Sequence, residues 1–184
     1  MKKRCDWAKE EPNIGYHDNE WGRPEHDDNK LFEFLILEGA QAGLSWITIL
    51  KRREGYRNAF SNFDPNKVAK YSQKNISKLL QNKSIVRNRL KIESAVNNAQ
   101  QFLKIQSEFG SFDEYIWRFV SFNPIKNNFK QYSDLPASTN ISKKISIDLK
   151  KRGFTFVGPT ICYALMQAIG MVNDHTCDCF LYNK

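Results

Sequence analysis

The sequence has no long apolar run, because charged or polar residues interrupt every hydrophobic segment before it approaches the roughly 20 residues that cross a bilayer. The opening residues, MKKRCDWAKEEP, are basic but have no apolar region behind them. We therefore expect no secretory signal, no membrane partner and a cytoplasmic location. Repeats, low-complexity tracts and long linkers are also absent, which predicts a single domain over residues 1–184.

Cysteine and histidine are scarce and lie mostly near the two ends of the chain. Cys5 and His17 stand near one end, and His175, Cys177 and Cys179 near the other. Without an export signal, the cysteines are expected to be thiols or metal ligands rather than disulfides. The pair His175-x3-Cys179 has a spacing that zinc sites use, although Cys177 competes with Cys179 as a ligand. A chance cluster without metal also remains open.

A zinc site built from both ends would cross-link nearly the whole chain. Four protein ligands leave no open coordination position, so the role would be structural rather than catalytic. Closing so long a loop is costly in entropy, and metal binding would therefore contribute directly to folding.

The charge balance favours an anionic partner. The chain has 28 Lys and Arg against 20 Asp and Glu, a net charge of +8. Nucleic acid is the usual partner of such a surplus, although many basic proteins have no such partner. The 41% hydrophobic and 13% aromatic content indicates a folded domain rather than a disordered segment.

Apolar residues recur with helical rather than strand spacing, so the predicted fold class is all-α. Asp27 or Asp28 is expected to cap one helix, and Asp64 followed by Pro65 is expected to start another. Residues 123–139 are polar and predicted to be irregular. The predicted helices cover residues 31–38, 46–50, 65–71, 75–81, 85 or 87 to 109, 112–120, 142–152 and 158–169.

The stretch LFEFLILEGAQAGLSWITIL, residues 31–50, concentrates unusual features. Glu38 follows an apolar helical run and is predicted to be buried at its inner end. Small residues from Gly39 to Ser45 predict a tight turn, after which Trp46 restarts a helix. Two ordinary core helices with a surface-facing glutamate are the alternative.

Aromatic residues are frequent in the same part of the chain. Trp7, Tyr16, Trp21 and Trp46 are expected around Glu38. Electron-rich rings with one carboxylate suit a flat cationic ligand, held by stacking and cation–π attraction. The plainer alternative is that these rings are core.

Several segments together resemble DNA-3-methyladenine glycosylase I, the Tag family of the helix-hairpin-helix glycosylase superfamily. The resemblance runs in order from about Cys5 to Cys179. It is carried by YHDNEWG at 16–22, LEGAQAGLSWITIL at 37–50, KKRGFTFVGPT at 150–160 and NDH at 173–175.

The resemblance implies a helix-hairpin-helix DNA glycosylase fold in which a structural zinc joins the N- and C-termini. Its ligands would be Cys5, His17, His175 and Cys179. The resemblance thus favours Cys179 over Cys177 as the fourth ligand. The hairpin would lie at residues 82–85. The implied reaction is hydrolysis of the N-glycosidic bond of 3-methyladenine in alkylated DNA, with release of the free base.

The resemblance also assigns roles around the base. Glu38 would be the catalytic carboxylate, and Tyr16, Trp46 and Trp7 would bind the base. Leu44 would be the wedge that fills the gap in the DNA, since a base must leave the stack before it can be excised. Glu38 is expected to act by recognising the cationic base rather than as a nucleophile.

The implied partner is double-stranded DNA carrying 3-methyladenine, bound by a monomer. Lys83, Ser84 and Arg87 at the hairpin are expected to contact the DNA backbone. Further contacts are expected from Lys91, Lys150, Lys151 and Arg152, so that binding would depend on salt. No lysine stands out as a Schiff-base former, which predicts an enzyme without lyase activity.

Two departures from the family pattern stand out. Asn13 occupies the region where the family often has a tyrosine, and residues 82–85 lack the glycines typical of such hairpins. Two other functions remain as alternatives. One is a zinc-stabilised DNA-binding module without enzymatic activity, and the other is a zinc hydrolase with Glu38 as general base. The hydrolase requires an open metal position and lacks a His-Glu-x-x-His element.

Overall fold

The computed structural model describes residues 2–183, which are mostly helical, as predicted. None of the helices in this range is long and apolar enough to cross a membrane. The α-helices are α1 (Asn13–Asn19), α2 (Asp28–Gln41), α3 (Trp46–Leu50), α4 (Arg53–Ala59), α5 (Pro65–Val68), α6 (Gln73–Gln81), α7 (Arg89–Phe109), α8 (Phe112–Trp117), α9 (Asn140–Lys151) and α10 (Pro159–Ala168).

The remaining regular elements are short. The 3₁₀ turns are Ser61–Phe63, Arg118–Val120 and Tyr132–Asp134, and two strands, β1 (Ile125–Lys126) and β2 (Val172–Asn173), pair in parallel. Sequence periodicity did not predict this pair, because two-residue strands are too short to show alternation.

Helix α2 is the centre of the domain. Every residue from 31 to 40 is buried, and the helix contacts α3, α7, α8 and α10. A helix that is apolar on all sides must be surrounded by other elements, which explains why Glu38 is carried into the interior.

Aspartates start several helices in the way that the sequence predicts. Asp27 accepts a hydrogen bond from the Lys30 amide at the start of α2, and Asp64 accepts one from the Asn66 amide next to Pro65. Asp28 has a different role. Its carboxylate accepts hydrogen bonds from the amides of residues 112 and 113, and it therefore caps α8 rather than α2.

Some predicted boundaries were wrong. Helix α2 continues to Gln41, so the turn occupies only residues 42–45, which we call the wedge turn. Gly39 lies inside the helix and adjoins Phe156, whose Cβ lies 3.4 Å from the position of an added Cβ. Helix α5 ends at Val68, and α7 begins at Arg89.

Candidate functional site: an aromatic cavity beside a basic loop

The aromatic residues predicted around Glu38 do come together. Trp7, Tyr16, Trp21, Trp46 and Glu38 line a cavity of about 520 Å³, which we call the aromatic cavity. The ring centroids of Tyr16 and Trp46 are 5.3 Å apart, and those of Trp7 and Tyr16 are 6.1 Å apart. These residues come from the segment before α1, from α1 and the residues after it, from α2 and from α3.

Glu38 is the acidic group of this cavity and is only 4% exposed. Across residues 2–183, no group donates a hydrogen bond to its carboxylate, and burial raises its pKa to about 8. A buried carboxyl with no donor is poised to respond to a positive charge placed beside it. Burial also raises the pKa of Tyr16, and the charge of Glu38 raises it further. The prediction of a buried Glu38 is therefore confirmed, and the alternative of a surface-facing glutamate is wrong.

Except for Asn13, which stands where the family often has a tyrosine, the other lining residues were not predicted from the sequence. Asn13 lines the aromatic cavity, and its Nδ2 donates to the carbonyl oxygen of Trp7 at 3.3 Å. On the opposite wall, Tyr163 and Gln167 both donate to Asp174, at 2.5 and 2.7 Å. Asp174 lies within the motif NDH, which was the available signal for this wall. The rim includes Tyr132, Leu135 and Pro136 from the irregular segment.

The wedge turn presents Leu44 beside the aromatic cavity. The Leu44 side chain is 40% exposed. Gly43 has a φ of +76°, a conformation that favours glycine and reverses the chain here. The Leu44 amide donates to the Gln41 carbonyl oxygen at 2.6 Å.

A second groove, of about 540 Å³, adjoins Leu44 and is lined by Lys83, Ile85 and Arg87. These residues belong to the segment 82–88 that joins α6 to α7, which we call the α6–α7 loop. Lys83, Ser84 and Arg87 are exposed, as an interface with DNA requires. However, the Ser84 amide and hydroxyl both donate to Asn82 Oδ1, at 2.9 and 2.6 Å.

Helix α4 holds this loop in place. Arg52 Nη1, just before α4, donates to the Lys83 carbonyl oxygen at 2.7 Å, and Tyr56 accepts from the Val86 amide at 3.2 Å. Gly55 allows the close approach, because an added Cβ would lie 2.4 Å from the Ser84 carbonyl oxygen.

Two basic residues expected to contact DNA have partners within the protein. Lys91 Nζ donates to the carbonyl oxygens of residues 40 and 42, and Arg152 pairs with Glu108 and Asp148. Lys150 and Lys151 are exposed. Sequence alone does not show which of these basic residues bond within the protein and which are exposed, because a lysine in a charged helix is expected to be solvated.

The ends of the chain bring three of the predicted metal ligands together. One ligand atom each from Cys5, His17 and Cys179 lies within 4.8 Å of the others, and all three residues are buried. Cys177 is exposed. The ring of His175 is edge-on to His17 with centroids 5.1 Å apart, and its Nε2 is buried without a hydrogen-bond partner.

These residues fit zinc. Two thiols and two imidazoles are the donors of a closed tetrahedral site, and the unpartnered Nε2 of His175 is the kind of atom that a metal would satisfy. His17 Nδ1 lies 2.9 Å from Asp18, which Arg4 holds in turn, and such a carboxylate behind a histidine is common at zinc sites. Burial raises the pKa of the Cys5 thiol to about 12.

Fold and site together define a small helical protein whose aromatic cavity suits a flat, cationic ligand, next to an exposed leucine and a basic loop. Comparison with known proteins makes this class specific. Residues 7–182 match the family model for methyladenine glycosylase.

Individual relatives agree over nearly the whole chain. DNA-3-methyladenine glycosylase of Haemophilus influenzae (strain ATCC 51907 / DSM 11121 / KW20 / Rd) is 49% identical over 180 residues, covering 97% of each chain. A crystal structure of 3-methyladenine DNA glycosylase I (TAG) superposes with a TM-score of 0.95 at 48% identity, covering 97% of this chain and 99% of the other.

A further TAG structure, from Staphylococcus aureus, describes the structural basis of 3-methyladenine recognition. It has a TM-score of 0.94 at 38% identity and covers 98% of this chain and 97% of its own. The chain therefore belongs to the methyladenine glycosylase family, and the resemblance drawn from its motifs is confirmed.

Proposed function

We propose that this protein is a monofunctional DNA glycosylase of base-excision repair, which hydrolyses the N-glycosidic bond of 3-methyladenine in double-stranded DNA. The observation that carries the proposal is the buried carboxylate of Glu38, which accepts no hydrogen bond from residues 2–183 and faces an aromatic cavity. The glycosylase relatives support the choice of substrate.

N3-methylation makes adenine a flat cation, and the aromatic cavity matches both properties. Rings such as Tyr16, Trp46 and Trp7 attract a cation through their electron-rich faces and stack on a planar base. A normal adenine is neutral and gains less from this environment. Selectivity then rests on charge as well as on shape.

Glu38 would complete this recognition. With a pKa of about 8, the carboxyl is mostly protonated at neutral pH while the cavity is empty. A cationic base beside it favours the ionised form, so the proton leaves as the base binds. The carboxylate then accepts a hydrogen bond from the exocyclic amine and stabilises the positive charge while water attacks the sugar carbon.

Extrusion of the nucleotide needs a wedge and a grip on the backbone. Leu44 is the wedge, because its exposed apolar side chain can occupy the gap between base pairs. The α6–α7 loop, as the hairpin of a helix-hairpin-helix unit, contacts phosphates through Lys83, Arg87 and backbone amides. Since Ser84 already donates to Asn82, its contribution is to shape the loop.

Zinc, when bound to Cys5, His17, His175 and Cys179, supplies a structural cross-link between the two ends of the chain. Four protein ligands close the site to substrate, so we assign it no chemical step. His17 also packs against Trp7, with ring centroids 5.3 Å apart, and the cross-link thereby supports one wall of the aromatic cavity.

The proposal includes three further properties, namely a monomer, a cytoplasmic location and no lyase activity. Among the lysines near the site, Lys91 has its ammonium bonded to two carbonyl oxygens, which disfavours attack on a sugar aldehyde. Borohydride treatment during turnover tests the last property. A trapped covalent adduct with DNA would contradict it.

The decisive experiment is release of free base from DNA treated with a methylating agent. Wild-type protein is expected to free 3-methyladenine and to leave 7-methylguanine in place, and Glu38→Ala is expected to lose this activity. Glu93→Gln, at a partly exposed glutamate of α7 that pairs with Arg89, is the control and should remain active. If folded, zinc-loaded wild type releases no base, the protein is instead a DNA-binding module.

A further inference from the structure

Lys91 connects α7 to the end of the helix that carries Glu38. Its Nζ lies 2.7 Å from the carbonyl oxygen of Ala40 and 2.6 Å from that of Ala42. The last carbonyls of an α-helix have no partner within the helix, and a positive charge there also opposes the negative end of the helix dipole. Lys91 therefore satisfies two acceptors that α2 leaves open.

These two carbonyls lie between the groups that would act on the base. Ala40 is two residues after Glu38, and Ala42 is two residues before Leu44. The other hydrogen bonds of the wedge turn are local, from the Leu44 amide to Gln41 at 2.6 Å and between the Ser45 and Thr48 hydroxyls at 2.7 Å, whereas Lys91 reaches the turn from another helix. The direction of the turn consequently depends on how the end of α2 is held.

The neighbouring residues on the same face of α7 have a similar role. Ser94 and Asn98 bond to the carbonyl oxygen of Thr155, at 3.3 and 2.9 Å. Thr155 precedes Phe156, which packs against Gly39 of α2. This polar face of α7 thus bonds to the end of α2 through Lys91 and to the segment that adjoins Gly39 through Ser94 and Asn98.

We propose that Lys91 is a positioning residue, whose ammonium clamps the end of α2 so that Leu44 is presented to DNA in register with Glu38. This inference rests on the proposed function, and it replaces the prediction that Lys91 contacts phosphate. A lysine bound to phosphate strengthens binding to any DNA sequence. A lysine that acts through Leu44 instead affects the step in which the nucleotide is extruded.

The salt dependence of DNA binding separates these roles. The test compares Lys91→Met, which keeps the length of the side chain and removes its charge, with Lys83→Met in the exposed α6–α7 loop. Lys83→Met is expected to weaken binding and to lower the slope of log affinity against log salt by about one. Lys91→Met is expected to leave the slope unchanged and to reduce excision by about tenfold or more, chiefly in kcat.

A double-mutant cycle tests whether Lys91 acts through Leu44. If it does, adding Lys91→Met to Leu44→Ala should change excision by less than about twofold, because the wedge is already absent. Lys91→Arg, which keeps the charge, is expected to recover part of the activity. The proposal would be overturned if the losses of excision from the two single variants added up in the double variant. A reduced salt slope for Lys91→Met would also overturn it.

Hydrogen exchange tests, independently of catalysis, whether Lys91 holds the end of α2 in place. Lys91→Met is expected to speed exchange of the Leu44 amide, which bonds to Gln41, while amides in the middle of α7 keep their protection. An unchanged Leu44 amide would refute the clamp. Absence of base release from wild type would instead refute the proposed function, and the two failures are therefore distinguishable.

Discussion

Replacing Glu38 by glutamine removes an ionisable group that the folded protein holds in its interior. The carboxyl is 4% exposed, and burial raises its pKa from 4.5 to about 8. In the unfolded chain the group regains its ordinary pKa. Between these values the folded state keeps a proton that the unfolded state has lost, so Glu38 lowers stability progressively as pH rises from about 4.5 to about 8.

The size of the effect follows from the two pKa values. Each tenfold difference in proton affinity corresponds to about 1.4 kcal/mol, which gives about 3 kcal/mol at pH 7 and about 5 kcal/mol above pH 8. Glu38→Gln keeps the shape and removes the ionisation. The variant is therefore expected to match the wild type at pH 4 and to exceed its free energy of unfolding by roughly these amounts at higher pH.

Urea unfolding of wild type and Glu38→Gln at several pH values measures the difference in their free energies of unfolding. Contributions from other titrating groups cancel in this difference. Glu33→Gln is the matched control on the same helix. Burial opposes ionisation of Glu33, but the charges of Arg53, Lys30 and Arg57 outweigh it and lower its pKa. Glu33 therefore stabilises the fold above its unfolded pKa, and Glu33→Gln should be destabilised at neutral pH. A pH-independent difference between wild type and Glu38→Gln would refute the reasoning.

The remaining predictions concern the loop and the metal. Gly55→Ala is expected to destabilise the protein by about 1–3 kcal/mol and to weaken DNA binding, because the new methyl group would lie 2.4 Å from the Ser84 carbonyl oxygen. Gly158→Ala is the control for urea unfolding and DNA titration, since its added Cβ meets nothing within 4 Å, and equal losses in both variants would contradict the prediction. For the metal, a chelator is expected to lower the Tm of wild type and of Cys177→Ser, by about 2–4 °C for each kcal/mol that the metal contributes. Cys179→Ser should start lower and respond little, and a chelator-insensitive wild type would count against zinc.

The sequence was most informative where one residue's environment follows from its neighbours. Burial of Glu38 could be predicted because the residue follows an apolar run in its own helix. The caps at Asp27 and Asp64 could be predicted because each bonds to an amide only a few residues away. The position of Gly39 could not be predicted in this way. Gly39 lies inside α2, next to Phe156 from a distant part of the chain, rather than in the turn that its flexibility indicates.

Long-range partners also explain the other differences. Asp28 looks like a local cap but binds the start of α8, and Lys91 looks like a solvated charge but binds the end of α2. Helix α1 was not predicted because its buried residues, Tyr16 and His17, pack against distant segments instead of forming an apolar stripe. In each case the side chain's partner is set by tertiary structure.

The meeting of the two ends has a consequence for how the protein is made. The Phe180 amide donates to the Lys3 carbonyl oxygen at 2.9 Å, and His17 lies between Trp7 and His175. A chain leaving the ribosome can form α2 early, but the packing behind Trp7 depends on residues 175–180, which are made after the rest of the site. Translation that stops before His175 leaves the lining of the aromatic cavity, which extends to Gln167, without this packing.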